Sequence, residues 1–144
     1  MNLVPSKANE QPGYYQAPAR FLQLSKVLVD QLNQTDTVHV ETDLVPTLIE
    51  LAATADSATQ HKELNSSILQ CARSPKVQVR RAAVRCQRGI TDRLGEAWLT
   101  LLPELLPVIG ELQEDDDENV EEETLAWIQA IEKVMGESLD PMLQ

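Results

Sequence analysis

A chain of 144 residues can bury one core without disulfides or metal, and a formal charge of −11 argues against indiscriminate adhesion to nucleic acid or acidic membrane. Two cysteines, Cys71 and Cys86, give no disulfide framework and fit a reducing compartment, and no apolar run approaches the ~18 residues needed to cross a bilayer. One Phe, two Trp and two Tyr leave burial to aliphatic side chains, while five glycines among runs of Leu, Glu, Gln, Ala and Arg favour helix.

Residues 1–18 hold Pro5, Pro12, Gly13 and Pro18 and read as an extended arm or linker, with no apolar stretch of the kind a secretory signal needs. Residues 19–144 read as the folded domain. A first helix is expected over about residues 20–34, with Phe21, Leu24, Leu28 and Leu32 in one stripe. Leu22, Val27 and Val29 fall off that stripe, so this helix needs cover on several sides, either from a further unit in front of it or from self-association. After a turn at 35–37, a second helix is expected over about residues 42–55, capped by Thr42 or Asp43, with Pro46 in its first turn. Leu44, Leu48, Leu51 and Ala55 form its inner face.

The third helix, about residues 58–73, turns Leu64, Ile68 and Cys71 inward and stops at Ser74-Pro75, because the residue before proline is pushed out of helical geometry. The fourth, about residues 76–94, buries Val79, Ala83, Cys86, Ile90 and Leu94, and Gly95 closes it. The fifth is expected as one helix over about residues 96–113, kinked by Pro103 and Pro107. The sixth, about residues 118–135, buries Val120, Thr124, Trp127, Ile131 and Met135 before Gly136, and the tail adds one more turn through Leu139, Met142 and Leu143.

A single shift of 41 residues carries Leu64 onto Leu105, Ile68 onto Ile109, Val79 onto Val120, Cys86 onto Trp127, Ile90 onto Ile131 and Gly95 onto Gly136. Equivalent apolar and capping positions at one step indicate stacked helical hairpins, and the step lies in the HEAT/armadillo range of roughly 40–47 residues. The expected fold is therefore all-α, a HEAT-like solenoid of about three helical hairpins, the first of which fits the step worst. Such arrays hold other molecules by their surfaces.

Charge is distributed very unevenly. Eight of the twelve basic residues lie between Lys62 and Arg93, opposed there by Glu63 and Asp92 alone, whereas from Glu96 onward fourteen acidic residues face only Lys133. On the fourth helix Arg81, Arg85 and Arg88 step by four and three, about opposite the Val79/Ala83/Cys86/Ile90 stripe. With Arg80, this row has two readings: a contact for RNA or an acidic partner, because guanidinium forks suit phosphate and carboxylate, or a basic face neutralised by the acidic repeat beside it. The run Glu114, Asp115, Asp116, Asp117 and Glu118 likewise has two readings, a dock for a basic partner or caps for the start of the sixth helix. It lacks the ligand spacing and central glycine of a calcium loop.

His39 and His61 have no ligand neighbours at metal spacing, and the chain carries no phosphate-binding glycine loop, nucleophile elbow or HExxH pattern. Cys71, Cys86, Trp98 and Trp127 read as buried packing residues. No catalytic residue, metal site or cofactor is expected.

Over about residues 40–144, the runs LVPTLIELA, HKELNSSIL, RRAAVRCQRGITDRLGEAWL and, above all, LPELLP, ELQEDDDE and GESLD carry a resemblance. They are similar to the C-terminal end of the large HEAT-repeat subunit of the small-subunit processome, the U3 small nucleolar RNA-associated protein family. The resemblance implies a non-catalytic nucleolar scaffold of the 90S pre-ribosome that supports 18S pre-rRNA processing, with a link to rDNA transcription. It implies other processome subunits as partners, with pre-rRNA and the U3 snoRNP contacted indirectly or directly, and neither membrane nor small-molecule substrate. It also implies that this chain ends a longer array. A HEAT adaptor in another pathway, such as transport, is the rival reading.

Overall fold

The computed structural model describes the backbone of residues 12–33 and 39–143, with side chains from residue 19 onward. Its elements are α1 (Pro12–Leu32), a π-helical turn (Val40–Leu44), α2 (Val45–Thr54), α3 (Ala58–Cys71), α4 (Val77–Leu94), α5 (Glu96–Leu99), α6 (Leu102–Leu112), α7 (Glu118–Met135) and α8 (Asp140–Leu143). α1 packs on α3, and α2, α4 and α7 stack in succession beside them. The hairpins α3/α4 and α6/α7 join the two layers, giving an all-α, HEAT-like solenoid.

The 41-residue step is a burial rule. Leu64 and Leu105, Ile68 and Ile109, Cys86 and Trp127, and Ile90 and Ile131 are all fully enclosed. Gly95 and Gly136 are the only positive-φ residues among those described, at 60° and 77°. Gly136 sits in the left-handed helical well and donates to Glu132 O at 2.8 Å, while Gly95 donates to Thr91 O at 2.9 Å with ψ at −130°, outside that well. Both glycines reverse the chain where a Cβ would strain it.

The step fails in α1. It would carry Ile68 onto Val27, which is 53% exposed. Instead Phe21, Leu28, Val29 and Leu32 turn inward, and Leu24, expected in the core stripe, is 45% exposed. Leu22, Leu24 and Val27 thus form an apolar outer face. α1 starts at Pro12, within the stretch expected as an arm. The rest of that arm, the turn at 35–37 and the side chains of Tyr14 and Tyr15 lie outside the described residues.

The second helix is preceded by a π-helical turn rather than by a side-chain cap. Val45 N–H bonds to Val40 O, and neither Thr42 nor Asp43 caps a helix end. Pro46 lacks the N–H that would reach Thr42 O, and its ring crowds that carbonyl; the wider register accommodates both. The fifth helix also departs from expectation, since it is two helices broken at Thr100 and Leu101. Pro103 cannot donate to Leu99 O and pushes against it, so α5 stops at Leu99, while Pro103 falls harmlessly in the first turn of α6. Pro107 remains inside α6.

A buried polar chain crosses the core beside these apolar layers. Trp98 Nε1 donates to Gln87 Oε1 at 3.0 Å, and Gln87 Nε2 donates to Asn65 Oδ1 at 2.7 Å. The His61 ring meets Trp98 edge-on, with centroids 5.4 Å apart. Such a chain fixes the register of α3, α4 and α5, because a shift would leave buried polar groups without partners.

Candidate interaction surface: arginines bridging three units

α4 occupies the middle of its layer and is enclosed on more sides than an amphipathic stripe implies: Ala82, Val84, Gln87 and Thr91 are buried along with Val79, Ala83, Cys86 and Ile90. The remaining sector carries the arginines, which end between the π turn on one side and α7 on the other.

Arg85 stands at the centre. Its Nε donates to Glu123 Oε2 at 2.5 Å, and its Nη1 pairs with Glu41 Oε1. Burial draws the Arg85 pKa down, and the two carboxylates outweigh that effect and leave it above its ordinary value. Glu123, only 11% exposed in its side chain, also receives Arg88 Nη1 at 3.5 Å, and Arg81 Nε lies 3.7 Å from its Oε2. Glu41, Arg85 and Glu123 come from three successive hairpin units, so one guanidinium ties both of its neighbours.

Arg80 points to a different place. It donates from Nε and Nη2 to Asp115 Oδ2 and Oδ1 at 2.8 and 3.0 Å, and from Nη1 to Ser74 O at 3.0 Å. This fork links two equivalent inter-helix turns one unit apart, and Asp115 is 9% exposed in its side chain. Burial alone would raise the Asp115 pKa, but hydrogen bonds from Arg80 and from Asp117 N–H hold it below the usual value. Asp117 caps α7, accepting from Asn119 N at 2.9 Å and Val120 N at 3.1 Å. Glu114, Asp116 and Glu118 remain exposed. The structure therefore brings Arg81, Arg85 and Arg88 together around Glu123, sets Arg80 apart, and assigns Asp115 and Asp117 of the acidic run to local bonds.

Further pairs repeat the same reach: Arg73 with Glu111 at 2.9–3.0 Å, Arg93 with Glu50 at 3.3–3.4 Å, and Lys76 Nζ with Asn33 O at 3.2 Å. Glu41 and Glu123 were missed by sequence reasoning. A signal existed, because each lies within a few residues of one repeat step from Arg85 and bears the opposite charge.

Next to Arg81 a cavity of about 160 Å³ opens among Leu32, Val40, Val77, Ala82 and Asn119. Among the described residues no group of three or more His, Cys, Asp or Glu side chains could hold a metal ion, and no helix is long and apolar enough to cross a membrane. Cys71 and Cys86 are buried free thiols, and burial pushes both pKa values up, that of Cys86 furthest.

No protein-family model matches the chain. Among curated proteins it is similar to U3 small nucleolar RNA-associated protein 10 of Chaetomium globosum, 52% identical over 136 residues, and of Neurospora crassa, 50% over 137 residues, each match covering 94% of this chain. The corresponding protein of Phaeosphaeria nodorum is 46% identical over 143 residues, or 99% of this chain. The chain spans about 8% of the length of each of these relatives. Nearly all of it is thus homologous to one short stretch of the U3 small nucleolar RNA-associated protein 10 sequences.

Proposed function

We propose that the chain is a non-catalytic scaffold segment in ribosome biogenesis, supporting assembly of the small-subunit processome and 18S pre-rRNA processing through protein–protein contacts in the nucleolus. It forms the C-terminal HEAT end of a longer array, and the link to rDNA transcription runs through the same assembly. The observation carrying this reading is identity of 46–52% to proteins named for association with the U3 small nucleolar RNA, over 94–99% of the chain. The fold supports it: ladders of ion pairs lock the hairpins to one another, giving a stiff surface suited to holding partners in place. The exposed apolar face of α1 is where a preceding unit would stack. Purification of the tagged chain in the context of the longer protein, with identification of bound proteins and RNA, tests the proposal. Processome subunits, pre-rRNA and U3 RNA are expected; their absence, with staining outside the nucleolus, would favour an adaptor role in another pathway such as transport.

Direct RNA binding through Arg80, Arg81, Arg85 and Arg88 is the second reading, favoured by the clustering of Arg81, Arg85 and Arg88 on one face, although Arg80 is held apart against Asp115. It predicts affinity that falls steeply with salt, because phosphate contacts release counterions. Absence of binding to pre-rRNA fragments at low salt would remove it.

A further inference from the structure

Glu123 lies beneath three guanidinium groups with one charge to offer, and Arg85 shares its own between Glu123 and Glu41. Three arginines against two carboxylates leave one positive charge in excess. That excess resides with Arg81. Its Nε is buried without a hydrogen-bond partner, and at 3.7 Å from Glu123 Oε2 it is outside bonding range of an oxygen already held by Arg85 at 2.5 Å. No hydrogen bond from its guanidinium to another described residue occurs. A buried donor left without an acceptor is unfavourable, and the Arg81 side chain, 33% exposed as a whole, leaves room for an incoming carboxylate to balance the charge.

The cavity beside Arg81 supplies the other half of a site. Leu32, Val40, Val77 and Ala82 give it an apolar wall, Arg81, Arg85, Glu41, Gln78 and Asn119 line the rest, with Glu41 already paired to Arg85, and Val77, still 37% exposed, leaves it open to solvent. A fully apolar void of ~150 Å³ accepts a benzene-sized group, so 160 Å³ has room for one large side chain laid against the apolar wall. We propose that this cavity docks a segment of a partner protein that carries one large aliphatic side chain next to a carboxylate. The apolar group enters between α4 and the π turn, and the carboxylate accepts from Arg81. The inference rests on the scaffold reading and specifies the chemistry of one partner. A protein segment fits better than RNA: the row has one charge to spare rather than one per nucleotide, and among the described residues no aromatic side chain lines the cavity to stack a base.

The test is a titration of the full, ¹⁵N-labelled chain with blocked Gly-Leu-Glu-Gly, with its Leu-Gln and Gly-Glu counterparts, and with oligouridylate, followed by amide shifts. The Leu-Glu peptide is expected to shift Val40, Val77, Ala82 and Asn119 saturably in the millimolar range, with each counterpart about tenfold weaker. Arg81→Gln should abolish the preference for Glu over Gln without changing the melting temperature, and Val77→Ser should weaken both Leu peptides alike. The proposal is overturned by the absence of saturable shifts, by a Glu preference that survives Arg81→Gln, or by oligouridylate producing the same shifts more strongly. None of these outcomes bears on membership of the assembly, which the purification tests separately.

Discussion

Replacing Gly89 with alanine sets two opposed effects against each other, and the structure determines which prevails. In a helix interior, Gly→Ala ordinarily stabilises by roughly 0.5–1 kcal/mol, because glycine loses more backbone freedom on folding. At Gly89, however, α4 lies against α2 so closely that an added Cβ would overlap Ile49 Cδ1 and come within 2.9 Å of its Cγ1. Ile49 is only partly buried and can give some way, so the penalty belongs at the low to middle part of the ~1–3 kcal/mol range for overpacking. The net expectation is a loss of about 1 kcal/mol, which at this size lowers the melting temperature by roughly 2–4 °C. Gly110, inside α6, provides the control. A Cβ there meets nothing within 4 Å, so Gly110→Ala should stabilise by roughly 0.5–1 kcal/mol. Urea unfolding at constant slope would read both effects. Adding Ile49→Val, which removes the overlapped methyl, should recover most of the Gly89→Ala loss. If Gly89→Ala stabilises as much as Gly110→Ala, or if Ile49→Val fails to rescue it, the close α2–α4 approach is refuted.

Ile90→Ala and Ile131→Ala remove equivalent fully buried side chains and should each cost about 2–5 kcal/mol by urea melting; a small effect at only one of them would mean that the two sites are not equivalent. Asp115 has a folded-state pKa below its unfolded one, so its contribution is fully present above the unfolded value of 3.8 and is lost as pH falls through the folded value. Thermal melts from pH 6 to 2 should therefore show a component of acid sensitivity below about pH 4 that is missing in Asp115→Asn. Because burial raises both thiol pKa values, Cys71 and Cys86 should resist a disulfide reagent at pH 8 for as long as the chain is folded, and react together in denaturant.

Those features of the fold that depend on burial at a regular interval were legible in the sequence. The sixth expected helix matches α7 in its bounds, and Gly95 and Gly136 mark the helix ends because a residue without a side chain adopts their positive φ with least strain. The discontinuities were harder to read, although both originate in prolines that were seen. Proline i disturbs the carbonyl at i−4, so Pro103 ends α5 at Leu99, and Pro46 forces the π turn around Thr42. Treating Pro103 as a kink overlooked that the helix could restart with the proline in its first turn. Gln87 and Asn65 escaped notice as core residues because polarity conceals burial unless the partner is known, and Trp98 supplies that partner from eleven residues beyond Gln87. The arginine row was visible as a row. Which carboxylates hold it was not, since pairing depends on how one unit sits against the next.

Arg85 has a mechanical consequence. Curvature in a stacked array comes from the small rotation of each unit against its neighbour, and that rotation opens or closes distances along one edge. With Glu41 on one side and Glu123 on the other, Arg85 acts like a rivet through three plates, resisting any bend that would spread this edge. Arg73 and Glu111 lie near the solvent and yield to screening, so the array softens first along that margin as ionic strength rises, while the edge pinned by Arg85 keeps its pitch.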